Sequence, residues 1–144
     1  VSKVRAARHG RQQGAAAVEF ALVSALFFTV LLGAVEMSRL LWTWNAAGEA
    51  TRLGARLAVV CDIGDPAIVT RMQQMLPALQ PTHVSIAYLP GGCSAATCQS
   101  VRVTLAGYTH VPIIPFAALS IPIPPFQTTL PKEFMQSAGN PICT

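Results

Sequence analysis

Residues 15–35, AAAVEFALVSALFFTVLLGAV, form an apolar run broken by a single charge, Glu19. The run meets the roughly 20-residue length that a helix needs to cross the hydrocarbon core of a bilayer. It predicts a membrane segment and leaves only part of the 144-residue chain for a water-soluble core. Of the ten Lys and Arg, Lys3, Arg5, Arg8 and Arg11 precede the run with no acid among them, so this leader carries the whole net charge of +4. The high pI of 9.2 therefore reports membrane orientation and gives no support to nucleic-acid binding. By the positive-inside rule the N-terminus is expected in the cytoplasm and Glu36 onward across the membrane. A signal peptide removed after Ala34 is disfavoured, because Leu32 stands where a small residue is wanted.

No turn follows Val35. The continuation EMSRLLWTWNAAGEATRLGARLAVV keeps helical spacing, with Met37, Leu41, Trp44, Ala47, Thr51, Ala55 and Ala58 on one face. Glu36 and Arg39, and Glu49 and Arg52, are three apart, where helix side chains meet. One helix is expected from Ala15 to Val60, roughly 70 Å long. Gly33, Gly48 and Gly54 would weaken it or, the favoured reading, let another element pack close. Trp42 and Trp44 suit either a membrane interface or a packing face.

The helix should stop at CDIGDP. There Asp65 reads as an N-cap and Pro66 as the first residue of a short second helix, with Ile68, Met72, Met75 and Leu79 at helical spacing and Pro77 or Pro81 as its end. Two antiparallel strands are expected in HVSIAYL, with Val84, Ile86 and Tyr88 on one face, and in SVRVTLAGYTHV, with Val101, Val103 and Leu105. Gly107 marks a bulge or bend in the second. The proline-rich PIIPFAALSIPIPPF cannot be a central strand and reads as an apolar crossover to a last strand in FQTTLPKEFMQ. The fold class is thus α+β: a long N-terminal helix, with a membrane half (15–35) and an amphipathic half (36–60), followed by a small antiparallel sheet domain (61–144).

Four cysteines, Cys61, Cys93, Cys98 and Cys143, all fall after the helix, as in small exported domains stapled by disulfides. Of three pairings, Cys93 with Cys98 and Cys61 with Cys143 is the most economical: the first closes the PGGCSAATCQ loop and the second ties the ends of the domain. No C-x-x-C occurs and His9, His83 and His110 are scattered, which disfavours zinc. Asp62 and Asp65 read as turn and cap residues. Neither a nucleophile-turn signature nor a Gly-rich phosphate loop is present, so no catalytic residues, no enzyme activity and no cofactor are expected.

A basic leader ending in Gly14, then Ala15, then Glu19 as fifth residue of the remaining chain and Phe20 next, resembles the type IV prepilin signal. The longer pattern GAAAVEFALV...LLGAVEMSRLLW...AAGEATRLGARLAV resembles the TadE-like minor pilins or pseudopilins of tight-adherence (Tad/Flp) pilus systems. That resemblance covers residues 10 to 60 and is only architectural beyond Cys61. It implies that a prepilin peptidase removes residues 1–14 between Gly14 and Ala15. The mature chain would then stay in the bacterial inner membrane, its C-terminal domain in the periplasm, until it joins other pilin subunits and the assembly platform. It further implies that Glu19 pairs with the terminal amine of a neighbouring subunit. Without such a partner Glu19 would snorkel to the interface, favoured by the helix dipole. The competing function is a single-pass anchored periplasmic binding protein or enzyme, with the helix as a stalk.

Overall fold

The computed structural model describes residues 9–113 and 120–143, with side chains from Gly14 onward. Lys3, Arg5 and Arg8 lie outside the described residues, as does much of the proline-rich crossover (114–119), and of Arg11 only the backbone is described. The chain forms two units, Val1–Arg39 and Leu40–Thr144, each taken by itself.

The elements in order are α1 (His9–Ala58), α2 (Pro66–Met75), a 3-10 turn (Pro81–His83), β1 (Val84–Leu89), β2 (Ser100–Leu105), β3 (Thr109–His110), β4 (Ile121–Pro122) and β5 (Phe126–Pro131). The class is α+β, as the pattern of a long helical run followed by alternating strands requires. Helix α1 continues through Gly33, Gly48 and Gly54. In the first unit its large apolar side chains are exposed on every side. A helix apolar all round is stable only inside a protein or a membrane.

In the second unit α1 buries a stripe of small residues, Thr43, Ala47, Ala50, Thr51, Ala55 and Ala58. Their spacing of three and four is that of one helix face. The expected stripe holds from Ala47 on, but Leu41 and Trp44 are exposed and Thr43 takes the buried position at its start. Met37, in the first unit, is exposed as well. Small side chains allow close approach. A Cβ on Gly54 would overlap Met72 of α2, and one on Gly48 would come within 3.6 Å of the Phe126 ring on β5. Gly33 has nothing within 4 Å of its Cβ position.

Helix α2 starts as its sequence dictates: the Asp65 side chain accepts the Ala67 N–H at 2.9 Å, and Pro66 sits at the first helical position. Its buried residues are Ile68 and Met72, followed by Leu76 and Leu79. Met75, expected on this face, is exposed. The helix ends there, and Leu76, four residues after Met72, turns inward from the cap with its N–H on the Met72 carbonyl (3.0 Å).

Strands β1, β2 and β5 form an antiparallel sheet in the order β1-β2-β5. Its register aligns three rows on the covered face: Val84–Leu105–Phe126, Ile86–Val103–Thr128 and Tyr88–Val101–Leu130. Central β2 contributes the fully buried members, and Pro131 sits on the edge strand, where its missing N–H costs no ladder bond. The segment expected to continue β2 breaks instead. Gly107 takes φ +73°, a left-handed conformation that turns the chain, and Thr109–His110 pairs separately with Ile121–Pro122. Burial raises the Tyr108 hydroxyl above its usual pKa of 10.0, and its ring meets His83 edge-on.

Two disulfides close the second unit: Cys93–Cys98 across the β1–β2 loop and Cys61–Cys143, with Cα atoms 5.7 Å apart, between the end of α1 and the last described residue. Backbone bonds reinforce the second closure. The N–H groups of Glu133 and Met135 donate to the Val59 carbonyl (3.2 and 3.3 Å), and that of Gln136 donates to Val60 (2.8 Å). These carbonyls just beyond the end of α1 would otherwise lack partners. Met135 adopts φ +46° to make this possible, with its side chain buried in the core.

Candidate functional site

Glu19 and its neighbours occupy the first unit. Gly14, Ala15, Glu19 and Phe20 are all on α1 and all exposed. Residue 19 lies four positions after residue 15, about 6 Å along the axis and nearly on the same side of the helix. Because Cα–Cβ bonds lean toward the helix N-terminus, the Glu19 carboxylate covers the turn that contains Ala15. Among the described residues nothing pairs with it: the ion pairs of α1 are Arg39–Glu36 at 2.9 Å and Arg52–Glu49, both outside the apolar run. The other polar side chain of the run with an identified bond, Thr29, satisfies itself on the Ala25 carbonyl at 2.8 Å. Glu19 is thus the one ionisable group between Gly14 and Val35, and it is exposed.

Gly14 stands inside α1 with nothing within 4 Å of its Cβ position. Among the described residues no neighbour demands glycine there.

The second unit supplies two further clusters. Cys61, Asp65 and Cys143 place three ligand-type atoms within 4.8 Å of one another. Both sulfurs are spent in the disulfide, whereas metal binding needs thiolates. The Asp65 carboxylate caps α2 and accepts the Ser137 hydroxyl, which in turn accepts the Asp62 N–H at 2.8 Å. This cluster fastens the C-terminal segment to the start of α2. A shallow groove of about 270 Å³ between α1 and β5 is lined by Trp44, Gly48, Glu49, Arg52, Phe126 and Gln127. Its charged members, Glu49 and Arg52, are paired with each other and solvated, so nothing there is poised for acid–base chemistry.

Sequence reasoning missed one feature of this unit. His110 is buried, with Nδ1 3.5 Å from the hydroxyl of Thr43 on α1. Thr43 had no mark beyond its place in a helical stripe, and a contact between residues so far apart in the chain has no local signal.

The first unit thus combines an apolar helix long enough to cross a membrane with one exposed carboxylate near its start. Residues 14–56 match the family model described as TadE-like protein. The match starts at Gly14, includes Glu19 and Phe20 and ends inside α1. No curated protein and no solved structure shows a significant match to the chain.

Proposed function

We propose that this protein is a minor pilin or pseudopilin of a tight-adherence type IV pilus, acting in its initiation or assembly. A prepilin peptidase cleaves between Gly14 and Ala15, on the cytoplasmic side marked by Lys3, Arg5, Arg8 and Arg11. The mature protein resides in the inner membrane with residues 61–144 in the periplasm. Ala15–Val35 then packs against other pilin subunits and the assembly platform.

The observation that carries this reading is Glu19, exposed and with no ion-pair partner among the described residues, in an otherwise apolar helix. A charged residue such as Asp costs about 2.5–3.5 kcal/mol at the centre of a membrane helix, and less near its end. A cation on a neighbouring subunit offsets that cost, and the amine released at Ala15 is one, held by each copy a turn away from its own Glu19. Family and physics support the same use of the same residue.

The test is complementation of a deletion strain with Glu19→Val at matched protein level. The variant run is more apolar, so insertion continues. The leader is untouched, so cleavage continues too. The expected result is mature, membrane-resident protein that no longer co-purifies with pilin partners and no longer supports piliation, with Glu19→Asp intermediate. Full piliation by the Val variant would instead favour an anchored binding protein whose helix is a stalk.

A further inference from the structure

Strand β5 is an outer strand of its sheet. The Lys132 N–H donates to the Gln99 carbonyl at 2.9 Å, which fixes the alternation of the β2–β5 ladder. Phe126, Thr128 and Leu130 turn their N–H and C=O groups to β2, and Gln127 and Thr129 turn theirs outward. Among the described residues nothing bonds those outward groups. Pro125 and Pro131 supply no N–H, so they confine the open edge to this stretch. No charge stands between them, although charge is the usual guard of an exposed edge. The two faces beside the edge differ. On the solvent face Arg102 of β2 is exposed, and its Nε donates to the Thr129 hydroxyl at 3.4 Å, which lays the side chain across β5 toward the edge. Neither ion pair of the described residues includes it. On the covered face the groove of about 270 Å³ opens beside Phe126 and Thr128, with Trp44 and Gly48 on its helix wall.

We infer that β5 takes an extended acidic segment of a partner protein as an added antiparallel strand. The partner's backbone bonds Gln127 and Thr129, its carboxylate meets Arg102, and the apolar side chain next to that acid in sequence enters the groove. Acid and apolar residue are sequence neighbours because side chains alternate between the faces of a strand. An added strand lies two strand spacings, about 10 Å, from β2, a distance that an arginine and a carboxylate span together. Backbone pairing supplies the affinity, and the two side chains supply the choice of partner. Charge selects against a second copy of this chain, since both edge strands, VSIAYL (84–89) and FQTTLP (126–131), lack an acid. The inference is independent of Glu19 and of the pilin reading, because every residue it uses belongs to the second unit.

The test is fluorescence anisotropy of the labelled peptide Thr-Val-Asp-Leu-Thr-Val titrated with the detergent-solubilised full chain, and saturable binding is expected. With the aspartate opposite Thr129, the aspartate N–H faces β5 and the leucine N–H faces away. N-methylation of the aspartate is therefore expected to weaken binding about tenfold or more, and N-methylation of the leucine to leave it unchanged. Arg102→Gln in the protein and asparagine for aspartate in the peptide should each weaken binding about threefold, and the two together no further, as one exposed ion pair requires. No saturable binding, or equal losses from the two N-methylations, would overturn the added strand. An asparagine peptide that binds as tightly as the aspartate peptide would overturn the acidic partner. Self-association of the chain that Thr129→Pro abolishes would mean that a second copy occupies the edge, and would also overturn the inference.

Discussion

The two stretches of α1 invert the usual relation between size and burial. Before Arg39 the largest apolar side chains, Phe20, Leu22, Leu26 and Phe27, are exposed; after Leu40 the buried residues of α1 are small, Thr43, Ala47, Ala50, Thr51, Gly54, Ala55 and Ala58, with Leu57 the one large side chain among them. In water this arrangement would waste the strongest hydrophobic groups, each able to contribute about 1.5–3 kcal/mol on burial. It is sensible when the two stretches have different solvents. With the first in lipid, as the proposed function has it, apolar contacts already surround it and large side chains gain nothing by folding inward. The second must bring a sheet and a helix against one face in water, and small residues set how close they come.

The comparison can be broken at several points. The largest effect is expected at Gly14, which nothing in the fold requires: Gly14→Leu should abolish removal of the leader, read as the intact mass of membrane-extracted protein, and maturation at the normal rate would remove the prepilin reading. Next come the disulfides, which act on the second unit alone. Cys61→Ser with Cys143→Ser opens a loop of 82 residues and should cost about 4 kcal/mol in urea unfolding of the detergent-solubilised chain, against about 2 for the short Cys93–Cys98 loop. Equal losses would mean that chain entropy is not what these bonds control. Glycines sharpen the contrast further. Gly54→Ala must displace Met72 and should destabilise by about 1 kcal/mol after the helix-propensity gain is counted, while Gly33→Ala should leave the same unfolding transition in place. A matching loss at Gly33 would show that the first stretch contributes to the core. An effect of similar size belongs to the cap: Asp65→Ala leaves the Ala67 N–H and the Ser137 hydroxyl short of a partner and should cost about 1 kcal/mol, seen as a lower melting temperature of the detergent-solubilised chain.

Much of this was legible in the sequence because the signals are local. Asp65-Pro66 specified a helix start, the alternation of Val101, Val103 and Leu105 specified a strand with one covered face, and the run 15–35 could be nothing but a membrane or buried helix. Cysteine spacing pointed to both disulfides. Where the reading failed, the deciding physics was tertiary. Thr43 displaced Leu41 and Trp44 from the buried stripe because β3 brings His110 to that side, and nothing near Thr43 in sequence announces it. The exit of the chain at Leu76 moved burial one residue past Met75. Gly107 was recognised as a break, but that the next two residues would pair with Ile121–Pro122 depends on a crossover whose path no periodicity encodes. For the candidate site the residue types at 14, 15, 19 and 20 carried the information, since among the described residues the fold brings no long-range contact to them.

The Cys61–Cys143 bond also changes what a protease can do. Everything from Asp62 to Ile142 is a covalent ring hung from the end of α1. A single cut anywhere within that ring leaves both fragments attached to the helix, and the digest runs as one chain on a gel until reductant is added. Damage to an exposed loop therefore does not shed the domain, and two cuts are needed before any piece diffuses away.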